Sequence, residues 1–198
     1  MRALSRSLLS AGLFAMVLLF FSSSAFAIDG YKDRHGLFVG IGLGGGPGSV
    51  HLSDDRFTSG LDNGGELGLH LLAAVGGGVT DSIVFSAELN TWIRTVSVHN
   101  TSLNHQHWSL IASGDFFLFE GFYLGAGTGL AYAFSDITRE GIENSRYQEM
   151  GLAAKGSAGY EFFLNGTVAA GFRLSYTRHF YSGADFDTFH GGVTLRWY

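Results

Sequence analysis

The chain contains no cysteine and one proline, Pro47, among 198 residues. The first absence excludes disulfide stapling, so stability must come from backbone pairing and packing. The second suits long paired strands, because proline donates nothing to a hydrogen-bonded ladder. Basic residues are also scarce, with 12 Lys and Arg against 17 Asp and Glu. Without a basic patch the chain is not suited to nucleic acid. Beyond residue 27 no apolar run approaches the roughly 20 residues a membrane-spanning helix requires. Any crossing of a membrane must therefore be made by a closed barrel.

The first residues read as a targeting segment. Arg2 and Arg6 supply a positive region, Leu8 to Phe21 an apolar stretch, and Ser24-Ala25-Phe26-Ala27 a small-residue cleavage site. Cleavage after Ala27 is expected, leaving a single domain over 28–198. Removing Arg2 and Arg6 leaves 10 basic residues against 17 acidic ones, a formal charge of −7.

After the leader the chain alternates between oily and polar residues. From Ile83 to Arg94 the residues Ile83, Phe85, Ala87, Leu89 and Ile93 share one side of a strand, and Ser86, Glu88, Asn90 and Arg94 share the other. Eight segments behave this way: His35 to Gly45, Gly65 to Val75, Ile83 to Arg94, Gln106 to Phe119, Phe122 to Phe134, Gln148 to Phe162, Thr167 to Phe180 and Asp187 to Trp197. Each reaches the roughly 9–11 residues of a tilted membrane strand. Thirty glycines spread through the alternation, instead of forming one tract, argue against a flexible linker.

A water-soluble eight-stranded barrel also alternates, but it turns its oily face inward and its charges out. Here one face is nearly free of charge in every strand. The other holds Glu66, Glu88, Arg94, Asp115, Glu149, Lys155 and Arg173. Such groups pair better in a polar lumen than in a ligand cavity. The expected fold is an all-β, eight-stranded antiparallel up-and-down transmembrane barrel. Long polar connections at 46–64, 97–105, 135–147 and 181–186 should lie outside, opposite tight turns at 76–82, 120–121 and 163–166. Trp92, Trp108, Tyr132, Tyr176 and Trp197 fall near strand ends, as interface girdles do.

The segments Gly36-Leu-Phe-Val-Gly-Ile-Gly-Leu-Gly44, Phe122-Tyr-Leu-Gly-Ala-Gly-Thr-Gly-Leu-Ala-Tyr132 and the final Gly-Gly-Val-Thr-Leu-Arg-Trp-Tyr resemble the small outer-membrane barrels of the opacity-protein and OmpA-like superfamily. That resemblance implies a monomeric barrel in the outer membrane, among its lipid and lipopolysaccharide. It implies insertion by a barrel-assembly machinery that reads a terminal aromatic, here Trp197 or Tyr198. It also implies a structural, adhesive or serum-resistance role through a host or surface ligand held by the loops. The outward register of the last strand falls on Phe189, Val193, Leu195 and Trp197, which leaves Tyr198 one step past the expected closing aromatic.

Candidate chemistry is sparse, and no cofactor is expected. An eight-stranded barrel is just wide enough for side chains to fill, so the seven inner charges should form an internal network instead of lining a channel. His99, His105 and His107 flank a possible hairpin tip and offer imidazoles for zinc or copper, against the plainer reading of a polar loop. His179, Ser182 and Asp185 lie close together before the last strand and raise the alternative of a lipid A modifying hydrolase. The spacing in Arg178-His-Phe-Tyr-Ser182 differs from the deacylase pattern. Asp54, Asp55, Arg56 and Asp62 put charge into the first loop, where solvation is the default reading. Gly40 to Gly45 matches G-x-G-x-x-G without the following helix that a dinucleotide site needs.

Overall fold

The computed structural model describes residues 34–52, 66–98, 101–119, 121–139 and 145–198. The leader, the first-loop charges and His99 lie outside these residues, and so does the side chain of Glu66. Eight strands run in chain order: β1 Gly36–Leu52, β2 Glu66–Thr80, β3 Ile83–Val98, β4 Thr101–Phe119, β5 Phe122–Arg139, β6 Ser145–Phe163, β7 Val168–Phe180 and β8 Ala184–Trp197. Each pairs antiparallel with the next, and β8 returns to β1, closing the barrel. Closure leaves no free strand edge, which a membrane demands because hydrocarbon cannot satisfy an open ladder.

Several strands overrun the segments read from alternation. β3 and β4 stay in register to Val98 and Thr101, so residues 97–98 and 101–105 of the expected loop are paired strand. β5 and β6 continue to Arg139 and Ser145, and the last outer connection shrinks to 181–183. β1 runs through Pro47, which stands opposite Leu67. Its ladder to β8 breaks between the Gly45–Gly191 and Gly48–Thr188 pairs, around the residue that lacks an N–H. Strands of this length exceed a hydrocarbon band of about 25 Å, and the excess lies at the outer end.

The other end is tied by tight turns. Gly121 has φ +108°, and an added Cβ there would meet the Glu161 carbonyl, so the β4–β5 turn requires glycine. Asn165 Oδ1 accepts the N–H groups of Thr167 at 2.9 Å and Val168 at 2.7 Å, fixing the β6–β7 turn. Register shifts by one residue at Gly78/Thr80 and at Phe117/Phe119, both at this end of the barrel.

The two faces separate as alternation requires. Leu37, Ile41, Leu69, Phe85, Leu110, Leu130, Leu152, Phe172 and Val193 stand exposed on the outside. Outward charges among the described strand residues (Asp136, Arg146, Arg178, Asp185 and Asp187) gather at the outer rim. Trp108 belongs to this exterior, and its indole N–H donates to Gln106 Oε1 at 3.1 Å.

Trp92 does not join it. The residue shares the even-numbered inward register of Glu88 and Asn90, is buried, and donates its indole N–H to the Gly46 carbonyl at 3.2 Å. Gly68 supplies the space, since a Cβ there would come within 2.2 Å of the indole. A variant retaining only this tryptophan (W108F/W197F) should fluoresce without quenching by bromine on lipid acyl chains. A variant retaining only Trp108 should be quenched strongly.

Candidate functional site

The lower half of the lumen is filled by one chain of alternating charges. Lys155 Nζ donates to Glu88, and Arg173 Nη2 reaches Glu88 Oε1 at 3.0 Å and Asp115 Oδ1 at 3.4 Å. Arg196 Nη2 donates to Asp115, and its Nη1 forms an ion pair with Glu161 Oε2 at 3.2 Å. Arg34 Nε closes the series on Glu161 Oε1 at 3.0 Å. The groups come from β3, β4, β6, β7, β8 and the residue before β1, so contacts such as Glu88 to Lys155 and Asp115 to Arg196 run across the lumen. Gly125 makes room, because a Cβ there would stand 2.3 Å from Asp115 Oδ1.

The tight-turn end is capped by aromatics. Arg34 lies 3.8 Å over the Phe117 ring, and Phe38, Val84, Phe117 and Tyr123 form a buried cluster. Tyr198 turns inward against Phe38 and Phe163, with its hydroxyl donating to Glu161 at 3.1 Å. Its backbone N–H donates to the Thr167 carbonyl at 2.8 Å. Trp197 remains in the strand, opposite Val39 and Val168. The last two residues thus part company, one on the wall and one in the plug.

The upper half of the lumen is imidazole and aromatic. His70 and His190 project from the two strands flanking β1 and stack at 3.5 Å, over the stretch of β1 whose inward residues Gly42, Gly44, Gly46 and Gly48 are all glycine. Nearer the rim His107 stacks on Phe186 at 3.7 Å, with Trp92, His105 and His179 around it. A hydrogen-bonded series runs from Ser135 Oγ to His105 Nδ1 at 2.5 Å and from His105 Nε2 to His107 Nε2 at 2.6 Å. It ends from His107 Nδ1 to Tyr181 Oη at 2.9 Å. A neutral imidazole donates at one nitrogen and accepts at the other, so both rings can be satisfied.

The expected inner charges divide accordingly. Glu88, Asp115, Lys155 and Arg173 join the network, together with Arg34, Glu161 and Arg196, which alternation had not singled out. Glu149 stays at the rim, where Tyr147 and Ser182 donate to it. Arg94 is also at the rim, half-exposed and opposite His105.

The catalytic candidates do not converge. His179 faces the lumen and bonds the Phe186 carbonyl at 3.1 Å, while Ser182 binds Glu149. Asp185 sits on the outward register of β8 and pairs with Arg178 at 2.6 Å. His105 and His107 do meet, but as hydrogen-bonded neighbours. Among the described residues no group of three or more His, Cys, Asp or Glu could hold a metal ion.

A closed eight-stranded antiparallel barrel with an oily exterior, a plugged polar interior and charges at one rim is the fold of small outer-membrane barrels. Solved structures agree. Ail, the attachment invasion locus protein of Yersinia pestis, crystallised with the heparin analogue sucrose octasulfate, is similar at TM-score 0.59 and 13% identity. The match covers 81% of this chain and 99% of Ail. Neisserial surface protein A is similar at TM-score 0.51 and 12% identity, over 81% of this chain and 98% of its own. No family model matches the chain, and no curated protein matches it. The resemblance read from the strands therefore holds at the level of the fold.

Proposed function

We propose that this chain is a monomeric integral outer-membrane protein whose barrel is a closed scaffold and whose activity is contact at the outer rim. The observation that carries this reading is the plug: ion pairs, stacked imidazoles and aromatic caps fill the lumen from Tyr198 to Phe186. A filled barrel offers its surroundings only its surface. Strands that rise beyond the hydrocarbon band present the outer rim to the surroundings, where a host or surface ligand can be met. The same reading assigns no hydrolase chemistry to His179, Ser182 and Asp185, because the base and the acid face opposite sides of the barrel wall.

Two measurements test it. Purified protein in planar bilayers should show no discrete openings, and steps like those of a porin would overturn the closed scaffold. Cells displaying the protein should adhere to epithelial or matrix-coated surfaces, and a glycine-serine replacement of residues 53–65 should abolish the gain. Absence of adherence by the unaltered protein would overturn the contact role.

A further inference from the structure

The ionic series in the lumen begins and ends on a cation. Lys155, Arg173, Arg196 and Arg34 are matched by Glu88, Asp115 and Glu161, four positive groups against three negative among the described residues. One positive charge is therefore in surplus within the series, in a water-poor interior where an uncompensated ion is costly.

Beside Arg173 lies a small cavity of about 10 Å³, lined by His70, Leu72, Asn90, Arg173 and His190 and bounded at the barrel wall by Leu43 and Val193. Four polar side-chain atoms of these lining residues are buried without a hydrogen-bond partner in the protein: His70 Nε2, Asn90 Nδ2, Arg173 Nε and His190 Nδ1. None of the four residues is more than 6% exposed. Arg173 Nε and Asn90 Nδ2 can only donate. A neutral imidazole places its one ring proton on whichever nitrogen gains an acceptor. The residues lining the cavity thus carry four unpartnered nitrogens, two of which can only donate, beside a series that holds one more cation than carboxylate.

We propose that this cavity binds one monovalent anion of halide size, chloride in ordinary salt, as a built-in part of the plug. The volume suits a particle about the size of one water, which excludes carboxylates and phosphates. A water molecule is the competing occupant of that size. It leaves the surplus charge of the series standing, whereas a halide accepts from Arg173 Nε and Asn90 Nδ2 and offsets that charge. Glu88 does not repel the anion strongly, because Lys155 and Arg173 already engage both its oxygens.

The test uses the folded barrel in detergent or lipid. Unfolding is followed in sodium chloride, sodium bromide and sodium gluconate at equal ionic strength. The midpoint should rise with the logarithm of halide concentration and stay flat in gluconate, as expected for a ligand that binds only the folded state. Crystals grown in bromide should show an anomalous peak between Asn90 Nδ2 and Arg173 Nε. Asn90→Leu should keep the fold and lose both the peak and the halide dependence. Lys155→Met, which leaves three charges on three, should weaken both. Equal midpoints in all three salts, or a cavity without a bromide peak in the unaltered protein, would overturn the proposal even if neither variant folded.

Discussion

Glu88→Ala is expected to destabilise the barrel by about 3–5 kcal/mol, the range for breaking a buried ion pair by removing one partner. Glu88 is fully buried and accepts from both Lys155 and Arg173. Its loss strands the Lys155 ammonium and leaves Arg173 with Asp115 as its one carboxylate among the described residues, beside the Ser157 hydroxyl. The stranded charge sets the magnitude, more than the lost contact does. Glu88→Ala combined with Lys155→Met should therefore recover a large part of the deficit. Glu149→Ala, at the half-exposed rim, should change stability by no more than about 1 kcal/mol. Urea unfolding in detergent micelles, followed by the gel shift between folded and heated forms, measures all three. Equal losses for Glu88→Ala and Glu149→Ala would mean that the inner ion pairs do not bear on stability.

The faces of the barrel were legible because a strand reports its orientation every second residue. Glu88, Asp115, Lys155 and Arg173 all point where alternation put them. Their partners were not legible, since a contact across the lumen joins residues such as 88 and 155 that no spacing relates. Glu161 and Arg196 carried the right parity and still escaped the candidate set, and Arg34 precedes the first strand. Trp92 shows the opposite failure. Its parity matched Glu88, but its place near a strand end suggested a lipid girdle, and only the space beside Gly68 shows why an indole fits inside.

The strand ends were misread for a separate reason. Alternation of oily and polar residues stops where lipid stops, yet hydrogen bonding does not. Thr95 to Val98 and Thr101 to Asn104 lose the clean division between faces and remain paired. The rim candidates fell in that zone. His105 and His107 share a face as expected, and their register brings them together, but their ring nitrogens are turned to each other, Ser135 and Tyr181. His179 and Asp185 lie on opposite faces of the barrel wall, and so cannot act as a pair.

Leu110→Arg is the sharpest test of what the exterior faces. Leu89, Leu110, Leu130 and Leu152 lie opposite one another on consecutive strands and form a continuous outward band. In water such a band would be an adhesive patch far beyond scattered surface leucines. In hydrocarbon it is satisfied, and an arginine there must desolvate or drag headgroups inward, at about 2–4 kcal/mol near the midplane. Gln106→Arg lies on the same strand and the same outward register, four residues nearer the rim. There an arginine reaches the headgroups and should cost about 0–1 kcal/mol. Folding yield and unfolding midpoint in phosphatidylcholine vesicles should separate the two variants clearly. On a water-exposed barrel wall both arginines would be tolerated alike, so the difference between them measures the lipid directly.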